Sequence, residues 1–244
     1  MATIAIYSLK GGVGKTTLTV NLAWCAAMLS ARRTLVWDLD PQAASSFLLA
    51  PEKRAKDQAQ AVFTKDVEVA KLIRPTAFER IDLIAADTSL RGLDIVFHQL
   101  DKKKRLAKLL GDLGQSHDHV LLDCPPGLTE TSEQVMRAAD LIVVPVIPST
   151  LSTRAFGEVS AHLDRIGAKK LRVLPVHSMV DRRRRLHGEA IARHPDWPVI
   201  PAASAIEAMA ATGKPVGSTA PRSKPAQAFA ALWQRIEQLL VQEK

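Results

Sequence analysis

Residues 10–17 read Lys-Gly-Gly-Val-Gly-Lys-Thr-Thr and stand between the apolar run at 2–9 and a stretch, 18–29, that reads as a helix. Glycines at Gly11, Gly12 and Gly14 let the backbone curl until its N–H groups surround an anion, and the helix that follows presents its positive end to the same point. The natural guest is a phosphate. Lys15 then reaches the β and γ phosphates, and Thr16 offers the hydroxyl that ligates Mg²⁺. A strand before the loop and a helix after it are the context in which this motif binds nucleotide rather than forming an ordinary turn. Lys10, five positions upstream of Lys15, is left without a role.

On both sides of the loop, short β-branched apolar runs alternate with helical patterns to the end of the chain, the signature of a parallel sheet with helices on both faces. Strands are predicted at 3–8, 34–38, 81–85, 119–123, 141–146, 172–176 and 199–200, and helices at 16–30, 90–113, 130–138, 153–166, 183–194 and 224–242. The expected fold is therefore α/β, a mostly parallel twisted sheet, with residues 1–244 forming a single domain. Residues 50–63 are polar enough to read as a surface excursion. The Gly-, Pro- and Ser-rich segment 211–225 reads as a loop able to move when a ligand binds.

A chain of 244 residues with 47% hydrophobic content can bury one sizeable core without disulfides or metal. Cys25 and Cys124 have no metal-ligand spacing or redox-pair motif and read as buried small apolar residues. No apolar run approaches the ~18 residues of a spanning helix, and the first residues lack the basic region of a signal peptide, so a cytosolic location is expected. The net charge of +8 favours an acidic partner, either nucleic acid or an anionic membrane surface.

Two further apolar strands end in acidic residues, one in Asp38-Leu-Asp-Pro-Gln and the other in Asp123-Cys-Pro-Pro-Gly. Ligands of open parallel sheets bind at the carboxyl ends of the strands, so Asp38, Asp40 and Asp123 converge on the phosphate loop.

These segments, with residues 139–152 and 199–216, resemble the ParA/MinD family of deviant Walker ATPases over nearly the whole chain. The resemblance implies a P-loop NTPase fold that takes ATP/ADP and Mg²⁺. It assigns Gly11, Gly12, Val13, Gly14, Lys15, Thr16 and Thr17 to the nucleotide, Thr16, Asp38 and Asp123 to the metal, and Asp40 to the attacking water. It also accounts for Lys10. In that family the first lysine crosses the interface of an ATP-sandwich homodimer to the phosphates held by the other subunit, where it acts as an arginine finger does elsewhere. The sequence departs from the family pattern after Gln42, where Ala-Ala-Ser-Ser at 43–46 replaces the usual Gly-Asn.

Relatives of ParA bind DNA without sequence preference through basic residues in the C-terminal part, and Arg182, Arg183, Arg184, Arg185, Arg222 and Lys224 lie there. Four arginines opening a helix oppose its dipole, which calls for compensation from outside the fold. The basic run 102–105 reads as the solvated face of a helix. His177 and the four tryptophans read as packing residues. The apolar stripe of Phe229, Leu232, Trp233, Ile236, Leu239 and Leu240 reads as a core-packing helix, with a MinD-like membrane helix as its alternative.

The expected function is an ATP-dependent switch. It dimerises with ATP, binds nucleoid DNA, and moves a plasmid, chromosome region or protein assembly until a ParB-like or cargo-adaptor protein stimulates hydrolysis. The protein would be cytoplasmic and nucleoid-associated, without stable membrane association. A MinD-like membrane switch and a metabolic ATP-dependent enzyme on the same fold are the alternatives.

Overall fold

In the computed structural model, which describes residues 1–50, 59–64, 66–100, 103–114, 116–168 and 171–241, the apolar run before the phosphate loop lies at the centre of the sheet. The strands are β1 Ala2–Ile6, β2 Thr34–Asp38, β3 Ile73–Pro75, β4 Ile81–Ile84, β5 His119–Asp123, β6 Leu141–Val146, β7 Arg172–Val180 and β8 Val199–Pro201. They lie in the order β3-β4-β2-β5-β1-β6-β7-β8. All pairings are parallel except that of β3 with β4. Asp38 and Asp123 are register partners at the carboxyl ends of β2 and β5, immediately beside the end of β1.

The helices are α1 Lys15–Leu29, α2 Ala44–Leu49, α3 Ala61–Thr64, α4 Leu93–Leu100, α5 Arg105–Asp112, α6 Glu130–Ala138, α7 Thr150–Arg165, α8 Arg185–Arg193, α9 Ser204–Glu207, α10 Met209–Thr212, α11 Val216–Thr219 and α12 Lys224–Val241. Alternating strand residues divide the core in two. Ile4 and Ile6 of β1 pack with α1 and α12 on one face, while Ala5 and Tyr7 pack with α4 to α7 on the other. Strands covered on both faces must be apolar between their ends, as Val120–Leu122 of β5 and the whole of β6 are.

The C-terminal stripe packs inward. Phe229, Leu232, Trp233 and Ile236 are fully buried and Leu239 and Leu240 partly so, which favours the core-helix reading over the membrane one. Ser30 donates to Glu237 at 2.8 Å and receives the Trp233 indole N–H at 2.9 Å, joining the C-terminal ends of α1 and α12. Among the described residues no helix is long and apolar enough to cross a membrane.

The expected helix over 90–113 is two helices, α4 and α5, preceded by a 3₁₀ turn at Thr88–Gly92. Arg105, at the start of α5, is 5% exposed, not solvated. Its Nε donates to the Phe63 carbonyl and its Nη2 to that of Val62, both at 2.8 Å. A buried guanidinium needs such fixed acceptors. Lys102 lies outside the described residues.

Residues 51–58 of the expected surface excursion also lie outside the described residues. The rest of it is not surface: Ala59, Val62 and Phe63 are buried, and Phe63 packs against Trp37 and Phe97. Strand β3 has no counterpart in the sequence reading, being three residues long and ending in a proline at the sheet edge. Helix α8 starts at Arg185, two residues later than expected, and α7 starts at Thr150 because Ser149 caps it by accepting from the Ser152 N–H.

The segment 211–225, expected to be loop, contains α11, where Pro215, Val216 and Gly217 are buried. A Cβ on Gly217 would lie 2.2 Å from the Trp24 ring on α1. Gly217→Ala is therefore expected to destabilise the fold by ~1–3 kcal/mol, since the Trp24 ring or the α11 backbone must shift to admit the methyl group. Urea unfolding with an unchanged midpoint would show that the contact is slack.

Candidate active site

The loop from β1 to α1 takes the tight course its glycines allow. Gly12 and Gly14 have φ of 70° and 92°, in the left-handed region, and Gly14 is the N-cap of α1. Space restricts Gly14 as well, because a Cβ there would lie 3.2 Å from Ser178 Oγ. That hydroxyl donates to the Val13 carbonyl at 2.8 Å and fixes the loop from the neighbouring side of the sheet.

Lys15 is 7% exposed, and its ammonium donates to the Lys10 carbonyl at 3.2 Å. Burial lowers its pKa, while the charges of Asp123 and Asp40 act in the opposite sense. The two lysines of the motif are thus in contact through backbone rather than charge. The Lys10 side chain makes no ion pair among the described residues, leaving its ammonium available to a charge from outside the chain.

The three acidic residues do meet the loop. Asp38 is fully buried and accepts from Asp40 N–H (3.1 Å), Ser46 N–H (2.9 Å) and Ser46 Oγ (2.7 Å); burial nevertheless raises its pKa to about 6. Asp123 is raised further, to about 7, first by burial and then by the charge of Asp38. Neither of its oxygens has a hydrogen-bond partner of good geometry, and the nearby hydroxyls of Thr16 and Ser45 only partly offset the burial. An orphaned buried carboxylate beside a second one is costly, and a divalent cation would relieve both. The residues present therefore fit Mg²⁺. Among the described residues no group of three or more His, Cys, Asp or Glu could hold a metal, so the cation would also need phosphate oxygens and the Thr16 hydroxyl.

Asp40 is half-buried and accepts from the Gln42 N–H at 2.9 Å. It lines a cleft with the loop glycines, Lys15, Thr16, Thr17, Gln42, Pro126 and Met179. Ala43 then has φ of 52°, a left-handed conformation that costs a residue with a Cβ roughly 1–2 kcal/mol. The departure from Gly at this position thus leaves the turn that a Gly would make. On the other side, Tyr7 Oη donates to the Gly127 carbonyl at 2.8 Å and Gly127 N–H to the Leu9 carbonyl at 3.1 Å, tying the segment after β5 to the loop. Cys25 and Cys124 are buried, as expected.

A second, mostly apolar cavity adjoins the cleft and shares Gly14, Thr17 and Met179 with it. Leu18, Ser178, Ile200, Pro201 and Ile206 complete most of its wall. None of these residues was singled out from the sequence, and only the resemblance of residues 199–216 pointed there.

The arginines lie at the same end of the sheet, after β7. They are partly compensated within the fold, contrary to expectation. Asp181 accepts from Arg183 Nε and Nη2, both at 2.9 Å, and Glu189 pairs with Arg185 at 3.5 Å. All four are exposed, and Arg182 and Arg184 make no ion pair among the described residues. Arg222 and Lys224 are exposed too, and among the described residues they make no ion pair. His177 and Trp197 pack with His194 in one ring cluster, consistent with packing roles.

A family model described as an AAA domain matches residues 1–174. The sporulation initiation inhibitor protein Soj of Bacillus subtilis is 36% identical over 145 residues, covering 59% of this chain and 57% of Soj. A ParA family protein of Chlamydia pneumoniae is 30% identical over 172 residues, covering 69% of this chain and 68% of that protein. The septum site-determining protein MinD of Pyrococcus horikoshii, solved as a complex with Mg-ADP, superposes with a TM-score of 0.80 at 24% identity, over 100% of this chain and 98% of that one. A phosphate loop with two lysines, acidic strand ends converging on it and these likenesses together place the chain in the ParA/MinD family.

Proposed function

We propose that residues 1–244 act as one ATPase domain, a switch that dimerises on binding Mg-ATP, holds nucleoid DNA without sequence preference as that dimer, and leaves it when a ParB-like or cargo-adaptor protein stimulates hydrolysis. The observation that carries this reading is the arrangement at one end of the sheet: a built phosphate site, a Lys10 ammonium without an ion-pair partner among the described residues, and an exposed arginine turn. In this reading ATP phosphates lie against the loop amides and Lys15, and the adenine base enters the apolar cavity beyond Thr17. Asp123, with both oxygens free of donors, is the metal ligand together with Thr16. Asp38, already accepting three hydrogen bonds, would help to hold the metal with them. Mg²⁺ neutralises phosphate charge when bound, and Asp40 orients the attacking water at the open side of the cleft.

Lys10 of each subunit reaches the phosphates bound by the other. Exposed apolar side chains at the same end, Phe47, Leu128, Leu151 and Leu186, suit burial against a second copy. Packing of α12 on α1 weighs against the membrane switch. Turnover stimulated by a partner protein in the absence of any small-molecule substrate would weigh against the metabolic enzyme.

DNA binding should require ATP, ignore sequence and fall steeply with salt, with a log–log slope of about −0.9 per phosphate contacted. Replacing residues 182–185 with alanine is expected to weaken binding to all sequences alike and to flatten that slope. Unchanged affinity and slope in filter binding across a salt series would remove the arginine turn from the DNA surface.

A further inference from the structure

The strand end that closes the nucleotide site also leads directly into the arginine turn. Ser178 is buried and fixes the phosphate loop through its hydrogen bond to the Val13 carbonyl. Met179, the next residue, lines both the phosphate cleft and the apolar cavity and has φ of 55°, in the left-handed region. Two residues on, Asp181 is gripped from both sides. Its N–H donates to Nδ1 of the buried His187 at 3.0 Å, and its carboxylate accepts from the backbone N–H and the guanidinium of Arg183. Five consecutive residues, 178–182, thus run from a loop carbonyl, past two cavity walls, to the first arginine, with Ser178 held by the Val13 carbonyl and Asp181 by the buried His187. A segment held at both ends transmits displacement instead of absorbing it.

We infer that Ser178 and Met179 are positioning residues that couple nucleotide occupancy to the order of the arginine turn at residues 181–187, within a single subunit and before any dimer forms. Filling the cavities restrains Met179, and the Ser178 hydroxyl keeps the strand end in step with the loop. The turn, staked at Asp181 by His187, then opens less often. The inference rests on the proposed nucleotide site, and its test separates the two.

Trypsin reports opening of the turn, because residues 182–185 are its substrates and cleavage of native protein tracks local opening. The full chain is digested with and without Mg-ADP at ten times each variant's measured dissociation constant. Light scattering confirms monomer throughout, and cleavage within residues 182–185 is followed by mass spectrometry. Wild type is expected to be cut about fivefold more slowly with Mg-ADP, the factor that one buried hydrogen bond is worth. Ser178→Ala, equally loaded, should lose the protection, and Ser178→Thr, which retains a hydroxyl, should recover it. Met179→Gly removes the side chain at a backbone angle glycine tolerates, so it should fold and also lose the protection. Loaded wild type cut at the unloaded rate, or Ser178→Ala and Met179→Gly protected as wild type is, would overturn the coupling. Failure of wild type to bind Mg-ADP at all would instead overturn the nucleotide site on which it rests.

Discussion

Lys15→Ala is expected to bind ATP and ADP at least ~100-fold more weakly than wild type, because each charge-assisted contact to phosphate contributes roughly 1.5–3 kcal/mol and Lys15 faces two phosphates. The side chain is almost fully buried in a water-poor site, which strengthens its effect on an anion. It is also the cation whose charge reaches both Asp123 and Asp40. Its removal leaves loop amides facing phosphate and buried carboxylates facing one another. Titration with a fluorescent ATP analogue, with circular dichroism confirming the fold, measures the effect. Affinity within tenfold of wild type would mean that the phosphates do not lie against Lys15.

Lys10→Ala should behave differently, although the two residues touch. Lys15 uses only the Lys10 carbonyl, which an alanine also supplies, so the loop should keep its shape and bind one ATP per subunit. What is lost is the ammonium offered to the other subunit. The variant is expected to remain monomeric at saturating ATP and consequently not to bind DNA. A role within its own loop predicts the reverse, weaker binding in the monomer with dimerisation restored at full occupancy. Light scattering at saturating ATP separates these outcomes.

Much of this site was legible in the sequence because its residues are contiguous or sit at strand ends. The spacing of Gly11 to Thr16 fixes a loop conformation locally, and Asp38 and Asp123 follow apolar runs that pair in register as β2 and β5. What escaped depends on partners far along the chain. Ser178 meets Val13 across 165 residues, and nothing around either residue encodes the other. Arg105 sits in a run of charges that reads as solvated, yet the Val62 and Phe63 carbonyls draw it inward. The compensation of the arginine turn is the exception, since it is local: Asp181 stands two residues before Arg183, and Glu189 follows Arg185 at the i,i+4 spacing of a helical ion pair. Ala43 keeps a left-handed turn although glycine is absent, since the Ser46 N–H and hydroxyl are held by Asp38 just beyond it.

The central claim is that ATP converts this chain from monomer to dimer, with Lys10 reaching across. Its most direct test is the molar mass of the wild-type chain by light scattering with Mg²⁺ and a non-hydrolysable ATP analogue, then with ADP, at matched saturation. The predicted result is twice the 26.6 kDa chain mass with the analogue and the chain mass itself with ADP. A mass of 26.6 kDa in both states, with nucleotide demonstrably bound, would contradict it.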